Sequence, residues 1–251
     1  MTAELYVVAD GKKYVYSEEF NMIHIHDTGD KIIDPTCTEG GYTLHGCTCE
    51  PNAYKDTYTS ALGHEFADGK CTRCGISVLD AFTDVKKGSY CYEAVKWAVA
   101  KGITKGTDAT HFSPNATCTR GQVVTFMYRA EGEPAVGGSN GFVDVAAGSY
   151  CSDAVQWAVA NGITKGTDAT HFSPNATCTR GQVVTFMYRA EGEPAVGGNV
   201  GFVDVAAGSY CYNAVQWAVA NGITKGTDAT HFSPNATCTR GQVVTFLYRA
   251  Q

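Results

Sequence analysis

Two sets of residues in this 251-residue chain have types and spacings suited to chemistry. The first is a group of thiols near the N-terminus. Cys47-x-Cys49 and Cys71-x-x-Cys74 form two short knuckles, with Cys37 and His64 as further ligand candidates. Four thiolates in two close pairs match a structural zinc site. The alternative is two disulfides and one odd thiol. No βαβ pattern surrounds Cys71 and Cys74, which argues against a thioredoxin-like role. The second set is cationic. Arg120, Arg180 and Arg240 each follow a threonine and recur every 60 residues. An arginine in the first turn of a helix sets a fork of donors beside the free N–H groups there, a pairing that suits a carboxylate or phosphate. The competing reading is a bond to a loop carbonyl, or to the aspartate of the upstream Phe-x-Asp-Val strip.

These arginines belong to a unit written three times. Residues 142–190 and 202–250 differ only at Ser152/Tyr212, Asp153/Asn213 and Met187/Leu247, and residues 82–130 form a more divergent first copy. A fixed period marks a repeat architecture, in which neighbouring units bury a face that none can bury by itself. Within copy one, Ser89 is placed to cap a helix carrying Ala94, Val95, Trp97, Ala98 and Val99, and Gly102 to end it. Thr119 and Gln122 form a capping box for a second helix, with Val123, Val124, Phe126 and Met127 facing inward. The spacers around Pro134 and Pro194 read as exposed. His111, His171 and His231 read as exposed loop residues.

Each copy also holds two cysteines, Cys91/Cys118, Cys151/Cys178 and Cys211/Cys238. One disulfide within each repeat is the economical reading, worth roughly 3–4 kcal/mol on chain-entropy grounds. Buried free thiols are the alternative. Ahead of the repeats, Tyr6-Val7-Val8 and Tyr14-Val15-Tyr16 flank Asp10-Gly11 and predict a β-hairpin. His24 and His26 share one face of the alternating stretch 22–26, read as a solvent face rather than a metal site.

The net charge of −6 is uneven: residues 1–81 carry −7, while the repeat bodies carry +4, 0 and +1. No dense basic stripe points to nucleic acid, and no apolar run approaches the roughly 20 residues of a membrane span. The first residues lack a secretory-signal pattern, so a C-terminal piece of a longer exported chain is expected. No nucleophile elbow, phosphate loop or His-Glu metal motif supports an enzyme.

In each copy the elements Phe-x-Asp-Val, Ala-Val-x-Trp-Ala-Val, Gly-Ile-Thr-x-Gly, Phe-x-Pro-Asn and Thr-Arg occur in that order. This order resembles the S-layer homology (SLH) domain, over residues 82–250. The resemblance implies a mainly α, three-lobed, pseudo-threefold body, with a small β-rich Cys-containing module ahead of it. It implies a non-catalytic, monomeric anchor at the cell wall or S-layer. Its inter-repeat grooves would hold an anionic, peptidoglycan-linked secondary polysaccharide, with no cofactor beyond a possible structural zinc. Arg120, Arg180 and Arg240 match the family's groove arginine. Asp84, Asp144, Asp204, Trp97, Trp157, Trp217, Lys105, Lys165 and Lys225 complete the expected carbohydrate-binding set, although a tryptophan in mid-helix more often serves the core. The expected boundaries are 1–36 for a β segment, 37–78 for the Cys-rich module, and 79–133, 139–193 and 199–251 for the repeats. Residues 37–75 resemble, more weakly, a Cys-rich module beside surface domains in Firmicutes. The alternative function is a protein-interaction or adhesin module. The chain departs from the family in having Thr-Arg-Gly-Gln where the family has Thr-Arg-Ala-Glu, and glycine there weakens the helix start by roughly 0.5–1 kcal/mol. Lys86, Lys87, Lys96 and Lys101 make copy one the most basic, and the groove it walls is expected to bind anions best.

Overall fold

The computed structural model describes residues 5–9, 12–16, 29–46, 53–67, 70–77, 82–108, 110–198 and 201–251. Contacts divide the chain into two compact units, Met1–Leu62 and Gly63–Gln251.

In the first unit, β1 (Leu5–Ala9) and β2 (Lys12–Tyr16) pair antiparallel with Ala9 opposite Lys12, forming the hairpin predicted around Asp10-Gly11. Strands β3 (Lys31–Ile33), β4 (Tyr42–His45) and β5 (Tyr54–Asp56) form a three-stranded antiparallel sheet in that order. His45 links its strands. One ring nitrogen lies 2.7 Å from Asp30 and the other 2.9 Å from Asp56, while the ring stacks on Tyr54. His24, His26, Cys47 and Cys49 lie outside the described residues.

The second unit opens with the short hairpin β6 (Phe66–Ala67) and β7 (Lys70–Cys71). Among the described residues six helices follow, two per repeat: α1 (Tyr92–Ala100), α2 (Arg120–Ala130), α3 (Ser152–Ala160), α4 (Arg180–Ala190), α5 (Tyr212–Ala220) and α6 (Arg240–Arg249). The predicted Ser89 cap is not made. The N-cap of α1 is Cys91, which makes no side-chain cap bond. A preceding turn supplies the contact instead, Tyr92 N–H donating to the Ser89 carbonyl. The end of α1 follows the prediction: Ile103 N–H reaches Ala98 O and Gly102 N–H reaches Val99 O, with Gly102 at φ +72°. That double bond is the Schellman ending, which needs a left-handed residue. All three second helices carry the predicted capping box.

The helices pack across repeat boundaries: α2 against α3, α4 against α5, and α6 back against α1, while α2, α4 and α6 meet one another. The backbone closes the same cycle. Cys178 N–H donates to Cys118 O, Cys238 N–H to Cys178 O, and Cys118 N–H to Cys238 O, each at 2.9 Å. Phe112, Phe172 and Phe232 are fully buried although they lie in loops. Helices are the main regular elements of the repeats, but most residues lie in ordered loops, so the expectation of a mainly α chain holds only loosely. No helix among the described residues is long and apolar enough to cross a membrane.

The expected disulfides are absent. All six repeat cysteines are buried free thiols. The backbones of Cys118, Cys178 and Cys238 join the three repeats to one another, so these residues sit at the closure of the ring. Burial pushes each of these three thiols up to about 12, against a smaller downward pull from a neighbouring repeat's arginine.

Candidate ligand grooves

The N-terminus of each second helix is where the anion site was expected, but its N–H groups are occupied. Arg120 N–H donates to Ala176 O and Gly121 N–H to Pro174 O, both in the next repeat, each at 2.9 Å. Gln122 N–H donates to Thr119 Oγ1. The same pattern links repeat two to three and three to one. The arginine side chain also crosses the boundary. Arg120 Nε donates to Phe172 O at 2.9 Å, with equivalent bonds from Arg180 to Phe232 and from Arg240 to Phe112. The guanidinium of Arg120 lies 4.8 Å from the Phe172 ring centre and 5.3 Å from that of Phe186. The loop-carbonyl alternative is therefore the one realised, with the carbonyl supplied by the neighbouring copy.

The bonds leave these arginines unfinished. Each is about 5% exposed or less. Among the described residues, none pairs with a carboxylate, and each Nη2 is buried with no hydrogen-bond partner. Burial pulls the pKa of all three arginines downward, which is the cost of desolvating the cation.

Each arginine lines a groove built from all three repeats. The first groove holds about 570 Å³ between Lys105, Gln122 and Arg129 of repeat one, Tyr150 of repeat two and Arg240 of repeat three. The second, about 340 Å³, has Lys165, Gln182, Arg189, Tyr210 and Arg120 in the same places. The third, also about 340 Å³, has Lys225, Gln242, Arg249, Tyr90 and Arg180. Arg129 ties the lysine loop to its helix through a bond from Nη1 to Ile103 O at 3.1 Å. Lys86, Lys87, Lys96 and Lys101 are exposed, and none lines these grooves. Those four lysines do not build the copy-one groove.

The other predicted residues divide cleanly. Lys105, Lys165 and Lys225 line the grooves. Asp84, Asp144 and Asp204 do not. Both carboxylate oxygens of Asp84 accept backbone N–H bonds, from Phe112 at 3.0 Å and Ser113 at 2.7 Å, and the other two copies repeat this. Desolvation pushes Asp144 up, but the N–H bonds outweigh it and its pKa falls below the usual range. Trp97, Trp157 and Trp217 pack edge against Tyr248, Tyr128 and Tyr188 of a neighbouring repeat, with ring centres 5.8–5.9 Å apart. They serve the repeat boundary, which is the core reading of a mid-helix tryptophan.

The aromatic residues of the grooves are tyrosines that periodicity did not single out. Tyr90, Tyr150 and Tyr210 are 56–58% exposed, yet they are anchored at one end. The Tyr150 hydroxyl hydrogen-bonds Thr119 of the preceding repeat. It also occupies the space that a Cβ on Gly121 would need, with Pro174 O 3.1 Å from the same point. The departure from Thr-Arg-Ala-Glu thus has a structural reason: glycine lets the next copy's tyrosine reach the helix start. These tyrosines lie just before each first helix, outside any periodic face. Their one visible signal was recurrence in every copy.

A ring of three repeats with three cationic, aromatic-walled grooves defines an attachment module. The S-layer homology domain model matches residues 81–124, 141–184 and 201–244, more than half of the chain. The chain belongs to the S-layer homology family and carries a cell-surface anchoring module. It is 35% identical to the "Surface-layer 125 kDa protein" of Lysinibacillus sphaericus over 163 residues, 62% of this chain and 13% of that protein. It is 23% identical over 206 residues to "Exoglucanase XynX" of Acetivibrio thermocellus, covering 80% of this chain and 19% of the relative. It is 29% identical over 167 residues to an "Endoglucanase" of Bacillus sp. (strain KSM-635), covering 64% of this chain and 18% of the relative. The chain therefore spans less than a fifth of each of these relatives.

The second unit also gathers His64, Cys71 and Cys74, a group able to hold a metal ion. Burial pushes the Cys71 thiol up, but the N–H of Cys74, the His64 ring and the N–H groups of Arg73 and Glu65 bring it down to about 5. That favours the thiolate, the form that binds metals.

Proposed function

We propose that the three grooves bind an anionic, peptidoglycan-linked secondary cell-wall polysaccharide, and that the chain acts as a monomeric, non-catalytic anchor. The observation that carries this is the buried guanidinium in each groove, without a carboxylate partner and beside a lysine and a second arginine. A cation desolvated in this way attracts an anionic ligand group far more strongly than one in open water. The exposed faces of Tyr90, Tyr150 and Tyr210 supply the apolar wall on which a sugar ring stacks. The three lobes and their pseudo-threefold relation follow from the cyclic bonds between repeats, and they present three versions of one site to a polymer of repeating units. Engagement of more than one groove raises avidity without new contacts.

The test is co-sedimentation of the chain with bacterial walls, before and after acid stripping of the secondary polysaccharide. The Lys105→Ala/Lys165→Ala/Lys225→Ala variant runs alongside, because these lysines line the grooves without holding the fold together. Pelleting that needs both the polysaccharide and the lysines is expected. Pelleting that survives stripping but is lost on protease treatment of the walls would instead show a protein partner, the adhesin alternative.

A further inference from the structure

Among the described residues before Phe82, the only buried apolar side chains are Cys37 and Cys71. Small domains commonly draw cohesion from cross-links or metals. The described cysteines form no disulfide. In the second unit the hairpin β6–β7 brings three ligand groups together instead. His64 precedes β6, Cys71 ends β7, and Cys74 follows one turn later. Their ligand atoms lie within 4.8 Å of one another, with Cys74 Sγ 3.5 Å from His64 Nδ1. Around a tetrahedral zinc ion, sulfur and nitrogen ligands are separated by about 3.5 Å.

The backbone holds this arrangement. Gly75 N–H donates to Cys71 O, Cys71 N–H to Ile76 O and Thr72 N–H to Glu65 O, each at 2.8 Å. Arg73, between the two cysteines, grips both neighbours of His64. Its Nη1 donates to Gly63 O at 3.2 Å, and its Nη2 to Glu65 Oε2 at 2.8 Å. The turn that presents the thiols is therefore the turn that places the imidazole.

We propose that His64, Cys71 and Cys74 hold a Zn²⁺ ion, with the fourth tetrahedral position open to a further ligand. Cys71 and Cys74 keep their expected role, and His64 becomes a full ligand.

The full chain, purified from zinc-supplemented medium, is assayed for bound metal by mass spectrometry. About one zinc per chain is expected, falling about tenfold or more in Cys71→Ser/Cys74→Ser. Reloading the chelated protein with Co²⁺ is expected to give thiolate-to-cobalt charge-transfer bands that the variant lacks. Because serine variants can misfold, the wild-type chain is also alkylated with and without Zn²⁺. Zinc is expected to slow labelling of exposed Cys74 by about tenfold or more, leaving Cys91 and Cys118 unchanged. Equal labelling in both conditions, a chain without zinc or a cobalt-thiolate band, or full zinc content in the double variant overturns the assignment.

Discussion

From Phe82 onward, each repeat places a fully buried Phe, Ile and several Val side chains in one continuous core, whereas before Phe82 apolar burial among the described residues is limited to two cysteines. The sheet of the first unit is tied by a polar device, His45 between Asp30 and Asp56. The repeats are tied by exchanging identical parts, each copy giving an arginine and a helix start to the next and receiving the same from the one before. Repetition explains the contrast. A residue that fits its neighbour once fits three times, so the apolar closure is self-consistent. A segment present in one copy must complete its own contacts, with charge and hydrogen bonds.

The hardest blow to this comparison would be a core substitution without consequence. Phe172→Ala is expected to destabilise the repeats by about 3–5 kcal/mol, as removal of a buried aromatic does, measured by denaturant unfolding followed through helical circular dichroism. A cost below about 1 kcal/mol would mean that the shared core is not the source of stability. Next in size is the boundary between copies. Gly121→Ala drives a methyl group against the Tyr150 hydroxyl and is expected to cost about 1–3 kcal/mol. Tyr150→Phe in the same chain should return part of that loss, and a double-mutant cycle reads the coupling directly. Strict additivity of the two changes would remove the tyrosine from its place at the helix start.

Smaller still is the helix cap. Thr119→Ala is expected to cost about 1 kcal/mol, and a similar loss at Thr179 and Thr239 would show that the copies are energetically as well as geometrically equivalent.

The smallest effects separate the two regions by pH. Hydrogen bonds from Asp56 and then Asp30 raise the His45 pKa. Its contribution to the sheet is complete below the ordinary histidine value and is lost as pH rises through the raised one. Asp108, Asp168 and Asp228 are held down to about 2, first by the N–H of Thr110, Thr170 and Thr230 and then by the adjacent histidines. Their contribution is present above the ordinary carboxylate value and is lost as pH falls toward about 2. Hydrogen exchange should therefore show the sheet loosening on the alkaline side and the repeat loops on the acid side. His111, raised by Asp108, adds an alkaline component to copy one. Repeat loops that show no loosening on the acid side would contradict the assignment.

What the sequence determined was local or periodic. The spacing of Val123, Val124, Phe126 and Met127 placed one helix face, Thr119 and Gln122 its cap, Gly102 the end of the helix before it, and Asp10-Gly11 a hairpin. Each of these depends on contacts within a few residues, and those contacts are written in the order of the chain. The order of five motifs in each copy carried the resemblance to the family. What only the tertiary structure decided was which copy each residue serves. Arg120 looked like a free anion-binding donor beside an open helix end. Its Nε and the N–H groups of Arg120 and Gly121 are instead taken by repeat two. Cys91 and Cys118 looked like partners, but Cys118 belongs to the junction of three copies. Trp157 was open to a core or a sugar-stacking role; it packs on Tyr128, and the exposed ring in the groove is Tyr150. In each case identical copies offer chemically equal partners at every step of 60 residues, so the choice among them rests on how the ring closes in three dimensions.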